Sequence, residues 1–269
     1  MVQRDNAVLA RQFEVWVLLL VCLASPLWTA QPLWAAEPVE VWSQNVAGSD
    51  YLIVRAQLPK AQVTLHWQRP DGSAYGDVAP LLLELGRPGI KAWMTTNAGM
   101  YHPDGQPVGL HVQNSKTLKG LVPPRPGSGN FSWLPNGVLV VADGWAKVVE
   151  SSRYPPLAKS ARYASQSGPL LVHRGKLHPG FEAGSRHVNV RNGVGVDRKG
   201  RVVFAISQGP VTFHAFAELF RRTLDCRDAL YLDGSVSAMA TPGQSVRGPH
   251  RAGLVGLWAV TSAAKTGKP

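Results

Sequence analysis

Apolar residues in this chain come in short runs rich in β-branched and aromatic side chains, and the runs end at glycine, proline or Asp-Gly pairs. That punctuation limits what can be built: such runs suit strands joined by tight turns rather than long helices. Residues 39–46, 51–57 and 62–68 read as strands on Val39, Val41, Ile53, Val54, Val63, Leu65 and Trp67, before a turn at Pro70-Asp71-Gly72. Residues 90–96 read as a buried strand entering Asn97-Ala98-Gly99, and 108–113 as another. Residues 137–142 and 146–149 form an expected hairpin around Asp143-Gly144. Further strands are expected over 163–172, 188–196, 202–207, 229–232 and 254–260. Helical spacing is clear in one place, where Phe213, Phe216, Ala217, Phe220 and Leu224 share a face. Thr212 suits its N-cap, and Arg221 and Arg222 its negative end. A second, short helix is expected over 77–85. With 27 Gly, 21 Pro and only 17% charged residues, the composition favours a single α+β domain, sheet-dominated with few helices. At 45% hydrophobic the chain is too apolar for disorder, and 2 Cys are too few for a disulfide scaffold or a cysteine-cluster metal site.

The N-terminus reads as an address. Arg4 and Arg11 precede an apolar run over 15–24, and Ala35 and Ala36 offer a small-residue exit. This is the layout of a secretory signal peptide over 1–36, leaving a domain over 37–265 that is exported to the periplasm or the cell exterior. An uncleaved anchor is the competing reading, but Pro26 and Pro32 would break a spanning helix, so no membrane span is expected after cleavage. Cleavage removes Arg4 and Arg11 together with Asp5 and Glu14, so the net charge stays +11. Cys226 is then alone and is expected as a small buried residue. The positive charge suits an anionic partner, yet the basic residues are scattered and no nucleic-acid motif accompanies them.

Residues able to do chemistry sit where strands end. Asn97 offers an amide that donates and accepts, and Gly99 permits close backbone approach; a plain Asn-Gly turn explains the same residues. Gln166-Ser167-Gly168-Pro169 is a polar patch in which Ser167 suits hydrogen bonding better than nucleophilic attack, since no Gly-x-Ser-x-Gly elbow is present. Arg191-Asn192-Gly193-Val194-Gly195 combines a planar guanidinium fork with glycines that could expose backbone N–H groups to an anion; the alternative is a surface Arg in a hairpin. Without a following helix the glycine pair is no dinucleotide fingerprint. The sharpest feature is the strand that ends in Asp233-Gly234-Ser235, a way to hold a carboxylate rigidly at a cleft. His102, His111, His173, His178, His187 and His214 form no metal motif; no cofactor is expected, and a divalent metal is left open.

Taken together, residues 96–110, 166–172, 191–197 and 231–239 resemble the phosphodiester glycosidase family, in its bacterial exported branch, over about residues 90–262. Asn97, Gly99, Met100 and Tyr101 match one family element, Gln166 to Pro169 a second, Arg191 and Gly195 a third, and Leu232 to Ser237 a fourth. Ser235 stands where many members have a second glycine. The resemblance implies hydrolysis of a sugar 1-phosphodiester in exopolysaccharide or cell-wall glycans, with Asp233 and Arg191 catalytic. It implies substrate binding by Asn97, Gly99, Gln166, Ser167, Gly168, Asn192, Gly234, Ser235 and Ser237. The departing phosphate monoester is a weak base, so Arg191 could assist electrostatically while Asp233 activates water or stabilises the sugar cation. Asp104, Glu182 and Asp197 are all available as a second carboxylate, and the sequence does not choose among them. The partner expected is a phosphorylated sugar or anionic glycan, with oligomeric state open; the alternative function is a non-catalytic module that binds anionic glycans.

Overall fold

The computed structural model describes residues 37–127, 131–233, 236–249 and 253–263. The expected signal peptide, Gly234 and Ser235 lie outside the described residues. The chain begins with β1 (Val39–Val46), β2 (Ser49–Ala56), β3 (Ala61–His66), α1 (Val78–Leu85) and β4 (Ala92–Asn97). Next come β5 (His111–Gln113), β6 (Lys116–Lys119), β7 (Gly137–Ala142) and β8 (Trp145–Glu150), then two short 3₁₀ turns at Ser151–Arg153 and Pro155–Ser160. β9 (Tyr163–Ser167), β10 (Leu170–His173), β11 (Lys176–Leu177), β12 (Asn192–Asp197) and β13 (Val202–Ser207) follow. The last elements are α2 (Phe213–Glu218), β14 (Cys226–Tyr231), β15 (Ala238–Thr241), β16 (Gln244–Arg247) and β17 (Leu257–Ser262).

These strands make three antiparallel sheets. The first has the order β1-β2-β13-β12-β14-β10-β11, the second β16-β15-β4-β17-β3, and the third β6-β5-β9-β7-β8. One shared core lies among them, formed by Leu52, Val54, Val63, Leu65, Met94, Leu139, Val141, Phe204, Ile206, Leu230, Trp258 and Val260. The opposite sheet faces are covered as well. Phe216 of α2 and Phe220 of the turn after it lie on Ile53, Leu171, Val203 and Ala205 of the first sheet. Val78 and Leu81 of α1 lie on Ala238, Ala240, Leu257 and Ala259 of the second. Tyr154 and Ala161 cover Val112, Val138, Val140 and Ala164 of the third. Burial on both faces is why β7, β13 and β17 read as continuous apolar runs instead of alternating ones.

The sheet-dominated α+β reading therefore holds, with local differences, among them the following. The run expected as one strand over 163–172 is two, β9 in the third sheet and β10 in the first. The break falls at Gly168-Pro169, where proline has no N–H to continue a ladder. The β15–β16 hairpin carries few β-branched residues and has no sequence signal beyond its Pro242-Gly243 turn. The expected helix over 213–224 is α-helical only to Glu218 and then runs as a π-turn over Leu219–Thr223. Its N-cap is as expected: Thr212 Oγ1 accepts from the Ala215 N–H at 3.1 Å. Arg221 and Arg222 are clasped by Glu218, with Arg222 Nε at 2.7 Å from its carboxylate.

Candidate functional site

The end of β14, the start of β12 and the end of β4 meet at one seam between the first and second sheets. Backbone bonds stitch the chain leaving β14 to its neighbours. Tyr231 N–H donates to Pro169 O at 3.1 Å, Leu232 N–H to Asn192 O at 3.2 Å, and Asp233 N–H to Ala98 O at 3.2 Å. Two buried asparagines reinforce the seam. Asn97 Nδ2 donates to Asp233 O at 3.0 Å, while its Oδ1 accepts from Ala238 N–H and from Asn192 Nδ2, each at 2.8 Å. Asn192 Nδ2 also donates to Thr96 Oγ1 at 3.0 Å, and its Oδ1 accepts from Ser237 Oγ at 3.1 Å. Asp233 O and Ala238 N–H are thus both bonded to the one Asn97 amide, which Asn192 braces. Asn97, Asn192 and Ser237 are each at most 3% exposed, and Asn97 also lines a cavity beside Asp233.

Above the seam opens a cleft of about 860 Å³ lined by Arg191, Asp233, Tyr231, Glu182, His187, His214 and an aromatic wall of Trp133, Phe181 and Phe213. Arg191 is the element of the cleft with the most elaborate support. Its Nε donates to Val211 O at 2.9 Å, Nη1 to Tyr231 Oη at 3.1 Å and Nη2 to His187 O at 3.2 Å. The Phe213 ring lies 3.6 Å below the guanidinium carbon, a cation–π contact. Arg191 is only 2% exposed, and no carboxylate pairs with it among the described residues. Burial lowers its pKa from the ordinary guanidinium value, and the Tyr231 hydroxyl opposes the shift. Of the five N–H bonds on a guanidinium, three are committed, leaving two for a ligand.

The aromatic wall is a contiguous stack. Phe181 and Phe213 lie parallel with centroids 4.9 Å apart, and Trp133 stands edge-on to both, at 5.6 Å and 5.3 Å. Trp133 remains 45% exposed at the mouth, so its apolar surface is available to a ligand. Sequence reasoning missed this wall: Phe213 carries a helix-face signal, and nothing local marks Trp133 or Phe181.

A second cavity, of about 470 Å³, lies on the other side of Asp233 and Tyr101, which line both. Tyr101 Oη is 3.0 Å from His111 Nδ1. Burial raises the Tyr101 pKa far above the ordinary phenol value and pushes that of His111 down to about 4. Gly99 also lines this second cavity, and a Cβ there would run into the Gln166 carbonyl oxygen.

The remaining residues of interest sit elsewhere. Gln166 is turned inward: its Oε1 accepts from Leu110 and Val122 N–H at 3.2 and 3.0 Å, and its Nε2 donates to Val122 O at 2.9 Å. Ser167 is fully buried, and Gly168 packs against Asn136. Neither lines the cleft. Gly193 and Gly195 form no anion nest. They lie within β12, where a Cβ would strike Leu171 and Phe216 in one case and Cys226 and Phe220 in the other. Cys226 is buried as expected, and burial raises its thiol pKa. Among the described residues no cluster of His, Cys, Asp and Glu is arranged to hold a metal ion.

The sequence model for phosphodiester glycosidases matches residues 91–263. The uncharacterized protein YigE of Escherichia coli K12 is 32% identical over 185 residues, covering 69% of this chain and 72% of that protein. Two solved structures share the fold. One is the zebrafish N-acetylglucosamine-1-phosphodiester alpha-N-acetylglucosaminidase catalytic domain auto-inhibited by its pro-peptide. It has a TM-score of 0.54 at 12% identity, over 82% of this chain and 81% of that one. The other is a hypothetical protein from Synechocystis, with a TM-score of 0.55 at 15% identity over 84% of this chain; the match spans only 62% of that protein. With its sequence matched through all four motif regions and its fold shared, the chain belongs to the phosphodiester glycosidase family.

Proposed function

We propose that this protein is an exported hydrolase that cleaves a sugar 1-phosphodiester at the bond between the anomeric carbon and the phosphate oxygen. The observation that carries the reading is the buried Arg191, which lines the cleft beside Asp233 with no carboxylate partner among the described residues. A buried cation without a counter-ion is costly unless something anionic completes it. A phosphodiester does so with the two oxygens that a guanidinium fork recognises. The aromatic wall beside it suits the apolar face of a pyranose.

The chemistry follows. The departing group is a phosphate monoester whose second pKa is about 6, so it leaves without a strong acid to protonate it. Arg191 neutralises the charge that builds on its oxygens. Asp233, half-buried and clamped through its backbone, supplies negative charge to the oxocarbenium-like transition state. Export rests on the basic, apolar and small-residue order of the first 36 residues. No helix among the described residues is long and apolar enough to cross a membrane. Glycans outside the cytoplasm are then the substrates within reach.

The test is sugar release from alkyl-phospho-N-acetylglucosamine and UDP-N-acetylglucosamine. Arg191→Ala is expected to lower turnover by about 10²–10³-fold, the effect of losing one preorganised charge-stabilising group, and Asp233→Asn to remove it. Binding of these ligands without sugar release would overturn the hydrolase reading in favour of a glycan-binding module.

A further inference from the structure

We infer that Glu182 is the general base that takes a proton from the attacking water; the inference rests on the phosphodiester hydrolase reading of the same cleft. Three carboxylates compete for such a role, and the fold separates them. Asp197 lies at the far end of β12, where its side chain is 3% exposed and bound to Arg201 Nε at 2.7 Å and Arg55 Nε at 3.5 Å. Asp104 is spent on a turn, its carboxylate accepting from Gln106 N–H at 2.9 Å. Glu182 alone of the three lines the cleft with Arg191 and Asp233.

The loop that carries Glu182 is built to hold it there. His178 Nε2 is 2.7 Å from Leu134 O, and His178 Nδ1 accepts from Gly180 N–H at 3.1 Å. The next side chain, Phe181, is stacked on Phe213 of α2. On the other side, Glu182 O accepts from Ser185 N–H at 3.2 Å. The carboxylate itself has no hydrogen bond or ion pair among the described residues, and the residue is exposed. A base must meet water and return its proton to solvent in each turnover, which an exposed, uncommitted carboxylate can do.

The division of labour balances. The water oxygen forms the new bond to the anomeric carbon, and the old bond's electron pair leaves on the phosphate monoester. One water proton passes to the Glu182 carboxylate and then to solvent. The diester monoanion becomes a neutral sugar and a monoester dianion. Because the leaving group needs no proton, the second carboxylate is free for the water.

The experiment is steady-state kinetics of the full chain on two sugar 1-phosphodiesters, one with an alkyl and one with an aryl group on the phosphate. Glu182→Gln is expected to lower kcat by about 10²–10⁴-fold, the usual worth of a positioned base, with KM little changed, an equal loss on both substrates and an unchanged melting temperature. Glu182→Ala is expected to regain turnover in azide, which needs no deprotonation, and to yield the glycosyl azide. A loss that grows with the basicity of the leaving group makes Glu182 an acid and overturns the assignment. Unchanged kcat overturns it too, as does a rate loss accompanied by a lower melting temperature and no azide product. Absence of turnover by the unaltered protein overturns the hydrolase reading itself, a result distinct from all of these.

Discussion

Gly168→Ala tests whether the seam is as tightly built as its hydrogen bonds imply. A Cβ at Gly168 would lie 2.7 Å from Asn136 Cβ and 3.2 Å from Asn136 Cα, about 0.7 Å inside the 3.4 Å at which ordinary contact begins. Asn136 cannot yield that distance. It is 1% exposed, its Nδ2 donates to Phe131 O at 2.7 Å, and its Oδ1 accepts from Gln166 Nε2 at 3.3 Å and from Ser151 Oγ. The displacement must therefore fall on the Gly168-Pro169 turn. Pro169 O is the acceptor for Tyr231 N–H, two residues before Asp233. Overpacking of this kind costs about 1–3 kcal/mol, and each kcal/mol lowers the melting temperature of a domain this size by about 2–4 °C. Displacements approaching 1 Å at a catalytic group cost up to about 10²-fold in rate, so turnover is expected to fall by at least about tenfold. Thermal unfolding and kcat on one phosphodiester measure both effects. Gly86→Ala is the control, since its nearest atoms would lie at 3.6 Å in ordinary contact. A Gly168→Ala protein with the melting temperature and kcat of the unaltered chain would refute the steric argument and the coupling drawn from it.

Two further outcomes follow from the same geometry. His111 is fully buried with its pKa lowered to about 4, so it destabilises the fold only when protonation is demanded of it. Its stabilising share is complete above pH 6.5 and falls away as the pH drops from 6.5 towards 4, by about 3 kcal/mol at about 1.36 kcal/mol per pKa unit; denaturant unfolding of His111→Gln should show a shallower loss across that window, and an unchanged slope counts against it. Trp133→Ala should raise KM about tenfold, the worth of roughly one aromatic contact, with kcat nearly intact and Trp133→Phe restoring most of the affinity; equal losses in kcat and kcat/KM would show that the wall acts on chemistry instead.

Much of the frame was legible because it depends on local pattern. β1, the β7–β8 hairpin, β13 and the Thr212 cap follow from runs, turns and spacing within a few residues of one another. Arg191, just before β12, and Asp233, just after β14, stood out in the sequence by residue type and family pattern, and both line the cleft. The long-range bonds of Asn97 were not legible. Its partners, Asp233 O and Ala238 N–H, are 136 and 141 residues away, and no local signal tells an amide that binds a ligand from one that braces a strand end. Gln166 presents the same problem, since its carbonyl oxygen is satisfied by Leu110 and Val122 in other segments. The glycines of β12 looked like room for an anion, whereas they make room for Phe216, Phe220 and Cys226. Each of these residues meets another element, and only the three-dimensional pairing of sheets discloses which one.

That distribution of work separates two kinds of polar residue at the seam. Asn97, Asn192 and Ser237 bond to one another and to backbone, and together they leave no polar atom of their own without a partner. Such a network fixes the geometry of the seam. Arg191 is different. Its three bonds go to neutral oxygens, which hold the fork in place but cannot cancel its charge. Stability alone gives no reason to bury a guanidinium in that condition, because an apolar side chain of similar volume would avoid the desolvation. The fold nevertheless dedicates Val211, His187, Tyr231 and the Phe213 ring to keeping it at the floor of an open cleft. A rigidly held guanidinium with no ion pair among the described residues, in a cleft that also holds Asp233, is what the proposed anionic substrate would complete.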